Sequence, residues 1–258
     1  MNYKQNTNFP NASIVAPGME EVTLAYYFEK LEDTLGREAF EDVAHPWEAL
    51  RRKDDRLFQF QKSVVEGTVH PTAAISGLVK IGKGAIIEPY AVIEGPAIIG
   101  DNTVVRSHVL IRPFTVIGRN CVVGHSSEIK NSLIMDEAKV ASFCFVGDSV
   151  IGYGARIGSF TVTENRRFDQ KEIVFKVQGQ VFQTGTDKMG CIMGDFARTG
   201  GGCTIAPGTL IGKYSWIYTD TNAFGFIPKE SLLKHRQTTE VVAKDRVLLK
   251  RTDIHGNV

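Results

Sequence analysis

The chain has 258 residues, 43% of them apolar and 23% charged, the proportions of a soluble globular protein with room for one sizeable core or two small ones. Thirty basic residues against twenty-nine acidic ones leave a formal charge of +1, which gives no electrostatic footing for nucleic acid or an anionic membrane. No apolar stretch is long enough to span a bilayer, and residues 1–18 lack the charged-then-apolar layout of a signal peptide, so a cytoplasmic protein is expected.

In chain order, residues 1–18 read as a loose N-terminus. Leu24, Phe28, Leu31 and Leu35 then form a helical stripe that stops at Gly36, and Pro46 opens a second helix in PWEALRRKDDRLFQFQKS. Residues 19–65 are thus expected to be a helical segment that caps whatever follows.

From Val69 the chain places Val or Ile at every sixth position: Val69, Ile75, Ile81, Ile87, Ile93, Ile99, Val105, Ile111, Ile117, Val123 and Ile129. A mostly small residue follows each of these by four, as at Ala73, Ala85, Ala91, Thr103 and Cys121. Neither an α-helix nor a hairpin sheet has a period of six, whereas one short strand plus a turn does. Three such units close a triangular coil of 18 residues, and stacked coils bury one another's aliphatic rows. The pattern breaks after Met135, resumes out of register at Ile151 and Ile157, breaks again across 163–190, and returns at Ile205, Ile211 and Ile217. The expected fold is therefore mainly β: a parallel β-helix of about seven coils over 66–225, with N-terminal helices and a loop insertion at 163–190. Within that insertion KEIVFKVQGQVFQTG reads as a protruding hairpin around Gln178-Gly179. Residues 226–258 are read as a C-terminal cap and tail, with a short helical turn in IPKESLLKH and a closing hairpin around Lys244-Asp245.

Residues eighteen apart should lie above one another. One column then holds Gly82, Gly100 and Gly118, expected at tight turns of positive φ. A second holds His70, Glu88, Arg106 and Gly124, a solvated charge ladder. The third holds Ser76, Glu94, Arg112 and Lys130. Two cations one strand spacing apart are costly unless Glu94 and Asp136 neutralise them or an anion lies beside them, and stacking alone leaves both readings open.

Cys121, Cys144, Cys191 and Cys203 are far apart, with no C-x-x-C pair, and read as small apolar filler in a reduced protein. A zinc site of converging histidines is not expected, because His108 has no near partner and five residues beyond His125 stands Lys130. No metal is expected.

RPFTVIGRNCVVGHSSEIKNSLIMDEAKVASFCFVGDSVIG, followed by NRRFDQKE, resembles the acetyltransferase half of bifunctional sugar-1-phosphate nucleotidylyltransferases. Among these it is most similar to archaeal-type glucosamine-1-phosphate N-acetyltransferases, hexapeptide-repeat enzymes, over about Pro46 to Val242. The resemblance implies a left-handed prism, a homotrimer with sites between subunits, and acetyl-CoA as the acyl donor. It implies that Arg112 and Lys130 grip a substrate phosphate, that Asn165 contacts the sugar, and that Lys171 is the loop lysine near it. No Gly-rich, Arg-containing nucleotide loop precedes the repeats, so nucleotidyl transfer is not expected of these residues.

Two departures fall on the chemistry. The family motif K-x-x-H-x-x-Y-x-G-D reads here Lys139-Val-Ala-Ser142-Phe-Cys-Phe145-Val-Gly147-Asp148. The histidine base has become Ser142 and the tyrosine Phe145, and Val174 stands where some archaeal relatives carry another lysine. A serine hydroxyl cannot replace imidazole without a base of its own. His125, five residues before Lys130 and hence on an adjacent wall, reads either as a surface-turn histidine, the commoner case, or as a base that a neighbouring subunit brings close, and the remaining histidines show no matching context. Two readings follow. In the first the chain is an acyl-CoA-dependent acetyltransferase acting on an amino-sugar phosphate or nucleotide sugar. In the second it is a non-catalytic trimeric module that binds a sugar phosphate or scaffolds a separate nucleotidylyltransferase.

Overall fold

A computed structural model describes residues 19–236 and 238–243. The loose first 18 residues, the hairpin around Lys244-Asp245 and His255 lie outside the described residues.

The period of six builds three parallel sheets that form the walls of a prism. The first wall has nine strands, from Val64–Val65 to Phe226–Ile227, the second nine, from Thr68–Val69 to Leu232–Leu233, and the third eight, from Ala74–Ser76 to Asn222–Ala223. The prism thus holds eight full coils and most of a ninth, against the seven expected, and is roughly 40 Å long at ~4.8 Å per coil. The surplus comes from strands at both ends that the aliphatic count passed over. Phe226–Ile227 and Leu232–Leu233 pair in parallel with the preceding coil, where a helical turn had been expected.

The break after Met135 is a change of coil length. Leu110 pairs with Glu128, eighteen residues on, but Glu128 pairs with Phe145, seventeen on. Ile134, Val140, Val146, Ile151 and Ile157 continue the buried row at spacings of five or six. The two short steps fall at Asn131 and Asp148, which turn the corner between the third and first walls in the left-handed region, at φ 46° and 48°.

Inside the prism, Ile81, Ile87, Ile93, Ile99, Ile111 and Ile117 are each no more than 1% exposed. The four cysteines are buried and free. Burial pushes the Cys121 and Cys191 thiols up to about 12, out of reach of thiolate chemistry. Gly82, Gly100 and Gly118 are not positive-φ turns. They are close approaches: a Cβ on Gly100 would stand 2.6 Å from the Gly118 carbonyl carbon, and one on Gly118 2.5 Å from the Asp136 nitrogen. Glu88 and Arg106 form the expected surface ladder, 2.5 Å apart.

The first wall is apolar on both faces. Its outward residues Ile98, Val116, Leu133, Val150, Ile192 and Leu210 form a second core with Val22, Tyr27, Phe28, Phe40, Trp47 and Leu50. The N-terminal segment therefore runs along a wall and does not cap an end. The expected first helix is also broken into short turns at Glu20–Val22, Leu24–Tyr27, Leu31–Asp33 and Arg37–Phe40, because the strap must follow an extended wall. The second helix forms at Ala49–Leu57 behind a Pro46–Glu48 turn. Asp195 and Asp136, at corners of the first wall, fasten the strap through their side chains. Asp195 accepts from the backbone N–H groups of Glu29 and Lys30 at 2.7 and 3.0 Å, and Asp136 from that of Leu35 at 3.1 Å. The hairpin in the insertion pairs Val174–Val177 with Gln180–Gln183. Its Phe175 ring packs 4.5 Å from Trp47, so the hairpin leaves the coil and closes over the strap.

Candidate functional site

Arg112 and Lys130 stand on the third wall, one coil apart. Ile111 pairs with Ile129, and the Arg112 N–H donates to the Ile129 carbonyl at 2.8 Å. Their partners are not the ones expected. Asp136 binds Arg119 at 2.8 Å, and Glu94 neutralises neither cation. Arg112 instead donates to Glu128 Oε1 at 3.0 Å and Lys130 to Asp148 Oδ2 at 2.9 Å.

Asp148 is the hub. Its side chain is 5% exposed, and it accepts from the Asn131 amide at 2.6 Å (Oδ1) and the Asn165 amide at 2.5 Å (Oδ2), besides Lys130. Three donors on one buried carboxylate satisfy it and fix where each donor stands. The shortened corners make this possible, since one residue fewer brings Asn131 and Asp148 into the same bend. Asn165 reaches the hub from the first residues of the insertion, directly after the strand Val162–Thr163.

Phe145 belongs to the same cluster. It pairs with Glu128, and its ring lies over Gly147, where an added Cβ would stand 2.7 Å from Phe145 Cζ and 3.0 Å from Asn165 Nδ2. Gly147 therefore leaves the gap that lets ring and amide meet. Lys171 does not join: its side chain is exposed and engages none of these groups. Arg112 and Lys130, 41% and 21% exposed at the side chain, remain open enough to meet an anion from solvent.

Ser142 and His125 lie at the other edge of the third wall, at its corner with the second. Val123 pairs with Val140, so His125 and Ser142 occupy one column on adjacent coils. His125 Nδ1 lies 3.0 Å from Ser107 Oγ, one coil further along. Its ring sits 5.3 Å from His108 and 5.5 Å from Phe143 in a ridge that continues to Tyr90 and Phe160. The His108–His125 contact is one of ring edge on ring face, between residues far apart in the sequence. Among the described residues no three His, Cys, Asp or Glu side chains group as metal ligands do.

Sequence reasoning passed over Asp148 as a hub, Asn131, and the buried Lys53 on the helix Ala49–Leu57. The signal for the first two was the change of register itself. Behind them a cavity of about 170 Å³ is lined by Trp47, Arg51, Asp54, Thr184 and Lys188, among others. Burial pulls the Lys53 ammonium below the usual lysine range and raises the Asp54 carboxyl, each partner opposing the other's shift.

These observations define a hexapeptide-repeat β-helix protein with a polar cluster at one edge of its third wall. The comparisons agree. Residues 93–195 match the family described as GMPPB C-terminal domain. The bifunctional protein GlmU from one strain of Methanococcus maripaludis is 49% identical over 176 residues, 68% of this chain and 42% of that protein. Its counterpart from a second strain is 40% identical over 205 residues, 80% of this chain and 49% of that protein. The bifunctional sugar-1-phosphate nucleotidylyltransferase/acetyltransferase of Sulfurisphaera tokodaii is 37% identical over 177 residues, 69% of this chain and 44% of that protein. The chain spans at most about half the length of these relatives. It is related to archaeal GlmU-type bifunctional proteins, as its motifs implied. Among the described residues no helix is long and apolar enough to cross a membrane.

Proposed function

We propose that the chain is an acyltransferase that moves an acetyl group from acetyl-CoA to the amine of an amino-sugar phosphate or nucleotide sugar. The observation that carries this reading is the convergence of Lys130, Asn131 and Asn165 on Asp148, with Arg112 one coil away on the same wall. The named activities of the bifunctional relatives support it. Arg112 and Lys130 hold the sugar phosphate by charge-assisted hydrogen bonds, and Asn165 orients the ring. The amine attacks the thioester carbonyl, its proton passes to His125, and the departing thiolate takes a proton to leave as free CoA. Ser142, one coil above His125, lends a hydroxyl to the oxygen on which charge develops.

The coenzyme finds a fitting surface on the second wall. Lys139, Arg156 and Arg198 stack on successive coils there and are followed by Trp216. All three cations are exposed and form no ion pair with a described residue, so the phosphates of a coenzyme suit them. A homotrimer belongs to the same reading. The ridge that carries His125 exposes Tyr90, Phe143 and Phe160 by 57%, 47% and 64%, which suits a face that meets other copies of the chain.

The test is release of CoA thiol from acetyl-CoA in the presence of glucosamine 1-phosphate and of nucleotide-linked amino sugars. Turnover that depends on Lys130 supports the reading. Turnover no greater than that of Lys130→Ala with every substrate refutes it. A second reading, favoured by Ser142 and Phe145 at the two reacting positions, is a trimeric sugar-phosphate-binding module that serves a separate nucleotidylyltransferase. Saturable sugar-phosphate binding without acetyl transfer selects it.

A further inference from the structure

Lys53 lies on the N-terminal helix, outside the hexapeptide repeats, yet its side chain is wholly buried. Its ammonium donates to Asp54 Oδ1 and to Asn131 Oδ1, both at 2.6 Å. The Asn131 amide nitrogen then donates to Asp148 Oδ1 at 2.6 Å, and Asp148 Oδ2 receives Lys130 and Asn165. An asparagine amide has one acceptor end and one donor end. By claiming the oxygen, Lys53 dictates that the nitrogen faces Asp148. The Asp148 carboxylate asks for the same sense from the other end, since a half-turn would set the amide oxygen against it, so without the ammonium the amide keeps one anchor in place of two.

Stability does not explain an ammonium at this place. Burial pulls its pKa down even though Asp54 opposes the shift, which marks a desolvation cost that replacing Lys53 and Asp54 together by apolar side chains would remove. Trp47 and Leu50 already anchor the helix to the apolar wall. We infer that Lys53 is a positioning residue of the sugar-phosphate site, acting through Asn131 and Asp148 to set where the Lys130 ammonium and the Asn165 amide stand. The inference rests on the functional reading above and makes the strap, which contributes no hexapeptide strand, a working part of the site.

A double-mutant cycle tests it. Calorimetric titration with glucosamine 1-phosphate is run on the wild type, Lys53→Met, Lys130→Gln and the double variant, with a melting curve for each. Lys53→Met leaves Asp54 unpaired and should lower the melting temperature, yet at temperatures where the chain is folded it should weaken binding about tenfold, and it should cost no further affinity in the Lys130→Gln background, since coupled residues do not add. Asn131→Ala cuts the same link while leaving the Lys53–Asp54 pair intact. It should reproduce the loss, and it decides the matter if Lys53→Met does not fold. Affinity unchanged in Lys53→Met and Asn131→Ala, or losses that add in the double variant, would overturn the inference alone. No binding by the wild type would overturn the functional reading and this inference with it.

Discussion

His125 lies one coil below Ser142 in the same corner column, and its carbonyl accepts the N–H of Phe143 at 2.9 Å. An imidazole therefore stands one strand spacing from the Ser142 hydroxyl position. If the proton acceptor has moved down by one coil, His125→Ala should lower kcat about a hundredfold or more while KM for the sugar changes little. Ser142→His should raise turnover by placing a second base in the same corner column. Steady-state kinetics on both variants checks this, and a fully active His125→Ala chain would refute it.

Asp148 holds three donors with one carboxylate, and removing it strands the Lys130 ammonium. Asp148→Ala should destabilise the fold by about 3 kcal/mol, within the range for breaking a buried pair. Lys130→Gln, which keeps a hydrogen-bond donor for Asp148, should cost clearly less. Urea unfolding of the two variants gives the comparison, and equal losses would mean that Asp148 is not the hub.

Asp195 carries a pH dependence. Its side chain is fully buried, and desolvation lifts its carboxyl from the ordinary aspartate range to about 6, although the N–H groups of Glu29, Tyr153 and Lys30 pull the other way. A carboxyl whose folded pKa is raised contributes stability below its unfolded pKa and loses it as pH rises through the folded value. Relative to Asp195→Asn, the wild type should therefore lose about 2–3 kcal/mol between pH 4 and pH 7, at roughly 1.4 kcal/mol per pKa unit. Unfolding free energies of both proteins across that range test the sign. Parallel curves would show that Asp195 does not titrate in the folded chain over this range.

Trp47 joins strap, wall and hairpin. It stacks on His45 with ring centres 4.4 Å apart and meets Phe175 edge-on at 4.5 Å. Trp47→Ala should cost about 3–5 kcal/mol, and the hairpin should become protease-sensitive before the prism does. Limited proteolysis with mass mapping reads that order, and prism cleavage ahead of the hairpin would contradict it.

The prism was legible because a period of six admits few structures, and the wall shared by Arg112 and Lys130 followed from counting eighteen. What escaped notice escaped for physical reasons. Ile98, Val116, Leu133, Val150, Ile192 and Leu210 are apolar and point outward, a pattern confined to one wall that announces a covering strap. Counting only the inward row hid it. The seventeen-residue coils looked like a break because a single residue dropped at a corner shifts every later hit. The Asp148 hub depended on that shift, since at constant register Asn131 and Asp148 would not share a bend. Lys53 left no mark in the repeat, because its role comes from tertiary contact across seventy-eight residues.

The central claim is that the Asp148 edge of the third wall binds a sugar phosphate. The most direct measurement is calorimetric titration of the wild type, Lys130→Gln and Arg112→Gln with glucosamine 1-phosphate and with the corresponding nucleotide sugar. Saturable binding to the wild type by at least one of them, weakened about tenfold or more in each variant, is the predicted result. No binding of either ligand, or binding that neither substitution disturbs, would contradict it.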